Sequence, residues 1–274
     1  MAKFDRKTLL TVLLALLLLG ALAFSWRAFK GSITPVTPEV TDVGGMLRAG
    51  ETVDYRDGTQ GYLAVPEGEG PFPALILIHE WWGLNDNIRD LADDFAQEGY
   101  VALAVDLYDG RSADGDPTVA RELATEVRGD VEGAMAHLGD AVDYLKARPD
   151  VDPESLASVG WCFGGGWAYQ MAKNDLGIDA SVMYYGAFNT EDDLSMMRAD
   201  ILGHFGDEDT GILVDDVVEF DAKLKTLEGD HRVFIYPNAG HAFANMDNEA
   251  AYVPEAAALA WDRTLEFLKQ EFGK

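Results

Sequence analysis

A single cysteine, Cys162, stands in a chain of 274 residues, so no internal disulfide can form. Bases are scarce as well. Twenty-one Lys and Arg, only nine of them lysines, face 48 Asp and Glu, for a formal charge of −27. A surface of that sign repels phosphodiester backbones and anionic lipid head groups, which argues against nucleic acid as a partner. The acids are scattered rather than blocked, as in a solvated coat suited to high salt, where screening removes the self-repulsion. Metal-ligand clusters are missing too. His79-Glu80 opens like a zinc-binding helix motif, but Gly83 occupies the place of the second histidine. No metal and no other cofactor is expected, and no internal repeat is present.

What the chain does have in quantity is apolar residues, 48% of the total, enough for one large α/β core. Three segments follow from their distribution: an N-terminal piece (1–30), a tether (31–50) and a folded domain (51–274). In the first, Thr8–Trp26 is uncharged and mostly Leu and Ala, with Lys3, Arg6 and Lys7 before it. As a helix it would span about 28 Å, enough to cross a hydrocarbon core. It reads as a membrane anchor or, since Ala21-Leu22-Ala23 offers a small-x-small site, as a cleavable export signal. On either reading the domain is expected outside the cytoplasm, with the leading basic residues inside. The tether is rich in Pro, Gly and small polar residues and has no sustained period.

Within the domain, short apolar runs alternate with helix-period segments. Strands are expected at 74–79, 101–107, 156–161, 180–185, 201–205 and 233–236. Helices are expected at 87–97, 118–127, 131–147, 163–173, 214–227 and 255–271, and 53–65 reads as a hairpin turning at Asp57-Gly58. Continuously apolar strands separated by helices predict a mostly parallel sheet covered on both faces, without a large cap domain. Ligands on such sheets bind at the carboxyl ends of the strands.

Three of those ends carry reactive groups, in the order Cys162, Asp209, His241. Cys162 lies between a strand and a helix in Gly160-Trp161-Cys162-Phe163-Gly164. A nucleophile presented at such a junction needs a sharp, strained turn and small neighbours two residues away. The turn also sets the sulfur at a helix N-terminus, where negative charge is stabilised. Nucleophile, acid, histidine is the chain order of the α/β-hydrolase triad: the histidine moves the proton, and the acid fixes its tautomer. Asp207 and Glu208 compete with Asp209 for the acid's role. His79, His137, His204 and His231 are weaker by position than His241. The oxyanion-hole amides are expected from Trp81, after the first central strand, and from Phe163, after the nucleophile.

These pieces together resemble the dienelactone hydrolase (carboxymethylenebutenolidase) family of α/β-hydrolases. The landmarks are HEWWG at 79–83, DLY at 106–108, GWCFGG at 160–165, YYG at 184–186, GDED at 206–209 and AGHAFAN at 239–245. The resemblance implies Cys162 as nucleophile, His241 as base and Asp209 as its orienting acid. It also implies that Glu80 sits beside the thiol and takes its proton when substrate binds, which protects a resting thiol from oxidation. The family's substrate is a cyclic enol ester with a carboxylate held by two arginines. One of those positions is Asn245 here, a departure from the pattern, and the nearest candidate for the other is Arg121. Trp82 and Tyr108 complete the expected substrate contacts. The expected activity is hydrolysis of small ester or lactone substrates by a monomeric domain. A thioesterase or general carboxylesterase on the same site, and a non-catalytic tethered binding protein, are the alternatives. Loss of a triad member would favour the binding protein, and all three are present.

Overall fold

The computed structural model describes residues 50–273. The expected anchor, the cleavage site and all of the tether except Gly50 lie outside the described residues. Among the described residues no helix is long and apolar enough to cross a membrane.

Eight strands form one sheet in the order β1-β2-β4-β3-β5-β6-β7-β8. β1 (Glu51–Arg56) and β2 (Thr59–Ala64) make the antiparallel hairpin, and β2 runs antiparallel to β4 (Val101–Val105). All the other pairs are parallel: β4 with β3 (Phe72–Ile78), β3 with β5 (Val151–Trp161), then β6 (Ala180–Tyr184), β7 (Asp200–Gly206) and β8 (Arg232–Tyr236). The arrangement is that of an α/β-hydrolase sheet.

β3 shows why the strands read as unbroken apolar runs. Ala74, Ile76 and Ile78 enter the core on one face, while Leu75 and Leu77 enter the core on the other. The first face is covered by α2 (Pro117–Gly129), α3 (Val131–Lys146), α4 (Phe163–Lys173) and α5 (Val214–Leu224). The second is covered by α1 (Asp86–Gln97) and α6 (Pro254–Glu271). Ile88 and Phe95 of α1 and Ala260 and Phe267 of α6 supply its apolar stripe.

Local chemistry sets the helix starts. Asn85 caps α1 by accepting from Ile88 N at 3.3 Å, Asp116 caps α2 from Thr118 N at 2.8 Å, and Asp130 caps α3 from Gly133 N at 2.9 Å. Each such cap is worth about 1 kcal/mol. The residue at the same position before α4 is Cys162, and its side chain caps nothing. Its sulfur is turned elsewhere.

Candidate active site

Cys162 holds φ 54° and ψ −111°, a conformation that costs a non-glycine residue on the order of 1–3 kcal/mol. The turn is held by Cys162 N–H donating to Tyr184 O (2.9 Å) and by Gly166 N–H donating to Cys162 O (3.2 Å). It also depends on two backbones in direct contact. A Cβ on Gly160 would lie 2.1 Å from Gly164 O, and one on Gly164 would lie 2.1 Å from Ile78 O. Any side chain at either position would push the strand-to-helix junction apart.

The Cys162 Sγ lies 3.0 Å from His241 Nε2, and the His241 Nδ1–H donates to Asp209 Oδ2 at 2.7 Å. His241 comes from the loop after β8 and Asp209 from the turn after β7, so three parallel strands deliver the three groups to one edge of the sheet. Asp209 is 5% exposed, whereas Asp207 and Glu208 face solvent. Burial alone would raise the Asp209 carboxyl. The bond from His241 and the amides of Gly211 (2.8 Å) and Ile212 (3.1 Å) outweigh it, and the group is held below the usual carboxylate range. His241 is likewise penalised by burial, but Asp209 and Cys162 raise it to about 10. At neutral pH such an imidazole favours its protonated form, so it holds the proton that a leaving group needs.

The loop after β3 passes beside this line. Gly83 N–H closes a turn on Glu80 O at 3.3 Å, with Trp81 inside the turn. Phe163 is the first residue of α4, and a helix's first amides have no intrahelical acceptor. His79 was a weak catalytic candidate, and the structure gives it a different task. Fully buried, it donates from Nδ1 to Glu80 O (2.5 Å) and accepts at Nε2 from Leu107 N–H (3.2 Å). That fixes one neutral tautomer, burial holds its pKa down, and the ring ties the loops after β3 and β4 together. Asp106 shapes the second of these loops by accepting from Tyr108 N–H (3.0 Å) and Gly110 N–H (2.7 Å).

Glu80 is 5% exposed and lies close enough to His241 to feel its charge. Among the described residues, the only hydrogen-bond partner of the sulfur is His241. One Glu80 oxygen accepts from the Asn245 amide, while Oε1 has no hydrogen-bond partner among the described residues. Desolvation raises the carboxyl to about 7, against the opposing pull of Asn245 and of the His241 charge. The hydroxyl of Tyr185 is also buried and unpartnered. It lies close enough to favour the charged carboxylate without meeting hydrogen-bond geometry. The Tyr185 ring packs against His241 at 5.2 Å between centroids, on a backbone with φ 39°. Tyr185 is not among the residues that the sequence pattern marks as catalytic, and its one signal is a bulky residue after a strand end within YYG.

The expected substrate contacts divide. Trp82 and Asn245 line one cleft beside the site. Tyr108 is fully buried and donates from its hydroxyl to Trp81 O at 3.1 Å, so it braces the expected oxyanion loop. Arg121 is not brought to the site: it is exposed and lines a surface groove on α2 with Glu122, Thr125, Glu126, Gly129 and Asp130. The α2 guanidinium that does approach is that of Arg128, 5.3 Å above the Phe163 ring. Arg121 and Arg128 are seven residues apart and share a helix face, so periodicity alone could not choose between them. Among the described residues no group of His, Cys, Asp and Glu is placed to hold a metal ion.

A parallel sheet with a strained nucleophile turn, a histidine and a buried acid at its carboxyl edge defines an α/β-hydrolase. Residues 59–272 match the dienelactone hydrolase family, and the chain belongs to that family. The protein "usf" of Aquifex pyrophilus is 34% identical over 81% of this chain and 98% of its own. A "Putative carboxymethylenebutenolidase" of Synechocystis is 30% identical over 77% of this chain and 91% of its own. A solved structure from Klebsiella pneumoniae, titled "Putative Dienelactone Hydrolase", superposes with a TM-score of 0.64 at 30% identity. It covers 77% of this chain and 92% of its own.

Proposed function

We propose that this carboxylic ester hydrolase cleaves ester or lactone bonds through Cys162, His241 and Asp209. The observation that carries the reading is the continuous line from Sγ to Nε2 (3.0 Å) and from Nδ1 to Asp209 (2.7 Å). The Cys162 thiol passes its proton to His241 Nε2, the sulfur attacks the carbonyl carbon, an S–C bond forms, and the carbonyl electron pair moves to oxygen, where the amides of Trp81 and Phe163 hold it. Collapse expels the alkoxide or enolate, which takes its proton from His241. Water then attacks the thioester while His241 accepts a proton, and the acid leaves as the thiolate departs. Asp209 keeps the imidazole in the required tautomer. Glu80 lies close enough to bias the charge on His241, and a carboxyl poised near 7 can exchange a proton with the site at neutral pH.

Cys162→Ala should abolish turnover of p-nitrophenyl acetate, and iodoacetamide should label Cys162 in the intact protein and block it. Unchanged turnover in the variant would refute the assignment. For the N-terminus we propose export or membrane anchoring through residues 8–26. Support comes from the nineteen uncharged residues flanked by bases. Mass spectrometry of the N-terminus in the membrane fraction distinguishes an anchor from a cleaved signal, and recovery of the intact chain only in the cytosol would remove both.

A further inference from the structure

We infer that the ester substrate carries a hydroxyl-rich, sugar-like portion, seated in a cleft beside the catalytic line. The inference rests on the ester-hydrolase reading above. The cleft, about 460 Å³, is built where the loops after β3, β4 and β8 converge at the carboxyl edge of the sheet. Asn245, whose amide holds Glu80, forms the part of its wall nearest the site. The other principal groups are Trp82, Asn85, Ser112, Asp114, Asp247 and Asn248.

Its hydrogen-bonding capacity is specific in kind. Asn85 spends its carbonyl oxygen on the cap of α1, leaving its NH₂ as a donor. Ser112 accepts from Asp114 N–H (3.2 Å), leaving its hydroxyl proton. Asp247 N–H donates to Asn245 Oδ1 (2.9 Å), which fixes the start of the loop that carries the Asp247 carboxylate. Among the described residues Asp114 and Asp247 have no ion-pair partner, and no lysine or arginine lines the cleft. A ligand hydroxyl can donate to a carboxylate and accept from an amide at the same time, so neighbouring hydroxyls satisfy alternating Asp and Asn groups. The Trp82 indole offers an apolar face to the C–H side of a ring. A ligand carboxylate would instead meet two negative charges and no cation, so the cleft disfavours an anionic group.

The test uses the full-length protein and four acetyl esters that share one acyl group: glucose monoacetate, ethyl acetate, acetylcholine and acetoxyacetate. The expected result is a kcat/KM for the sugar ester at least about tenfold above each of the others. That advantage should collapse in the Asp247→Asn, Asn248→Ala double variant, because hydrogen-bonding sites discriminate strongly between ligands with and without the matching hydroxyl. A preference for acetylcholine would reassign the cleft to cations. A preference for acetoxyacetate would assign the site to a carboxylate, with Arg128 as the attracting group. Either preference overturns the proposal, as does equal turnover of all four, while leaving the ester-hydrolase reading intact. If no acetate is turned over, that reading fails, and a titration with methyl glucoside decides the cleft separately. A fluorescence change lost in Trp82→Phe supports the cleft as a sugar site, and a flat titration overturns it.

Discussion

Asp209 and Glu80 are two acids of one site that behave differently. Each residue is 5% exposed, and each lies within the field of His241. Their charges go opposite ways. Asp209 accepts from an imidazole and two backbone amides, and its carboxyl is held below the ordinary range. Glu80 has one amide from Asn245 and one oxygen with no hydrogen-bond partner among the described residues, and it rises to about 7. Burial raises both carboxyls, that of Glu80 more strongly, and Asp209 has the richer supply of hydrogen bonds; the two effects together decide which acid stays ionised. One carboxylate is fixed as a permanent negative charge, and the other is free to change state near neutrality.

The largest effect should come from breaking the fixed member. Asp209→Asn keeps the shape but removes the charge that stabilises the His241 cation, so kcat for p-nitrophenyl acetate should fall by about 10³–10⁴. The His241 titration should also drop from about 10, which NMR of the imidazole would follow. Next is the mobile member. The Glu80 pKa is raised on folding, from 4.5 to about 7, so between those values the native state binds more protons than the unfolded one. Stability from this group is therefore lost as pH rises from about 4.5 to 7, by roughly 3 kcal/mol in all. In Glu80→Gln, urea unfolding at pH 5 and pH 8 should show that difference reduced by a similar amount. An unchanged difference would mean that Glu80 does not titrate there.

A smaller effect is expected in Asn245→Ala, which withdraws the single amide from Glu80. Its carboxyl should move above 7 by about one unit, in line with the strength of a hydrogen bond to a charged group. Carboxyl NMR would register the change. Smallest is Tyr185→Phe. Because the hydroxyl has no hydrogen-bond partner, stability should change by less than about 1 kcal/mol, and Glu80 should shift upward only slightly. A large loss would show that the hydroxyl and the carboxylate bond directly in solution.

Much of this is legible in the sequence. The alternation of apolar runs and periodic helices places every strand and helix of the domain, because strands buried on both faces and amphipathic helices leave distinct patterns. The errors fall where local chemistry overrides pattern. The strand expected at 101–107 stops at Val105, because the Asp106 carboxylate draws the following backbone into a turn. The strand expected from Leu156 starts at Val151: the Asp-Pro-Glu stretch that reads as a turn falls at a register shift, while its flanks Val151 and Leu156 pair with Phe72 and Ala74 of β3. In the site, Cys162, Asp209 and His241 could be named because each follows a strand end in a known order. The pairing of Asn245 with Glu80, 165 positions apart, and the approach of Arg128 rather than Arg121 could not. Those contacts depend on how loops meet in space, which no local period encodes.

The glycine contact at the elbow has a mechanical consequence. Because Gly164 abuts the carbonyls of Ile78 and His79, the segment that presents the sulfur and the segment that leads to Trp81 are jammed together without intervening side chains. Neither can shift without the other, so the nucleophile and both proposed oxyanion donors form one rigid jaw. Any accommodation of differently shaped substrates must come from the other wall, the loops after β4 and β8. Diversification of specificity in this scaffold should accordingly concentrate in residues 109–116 and 242–253.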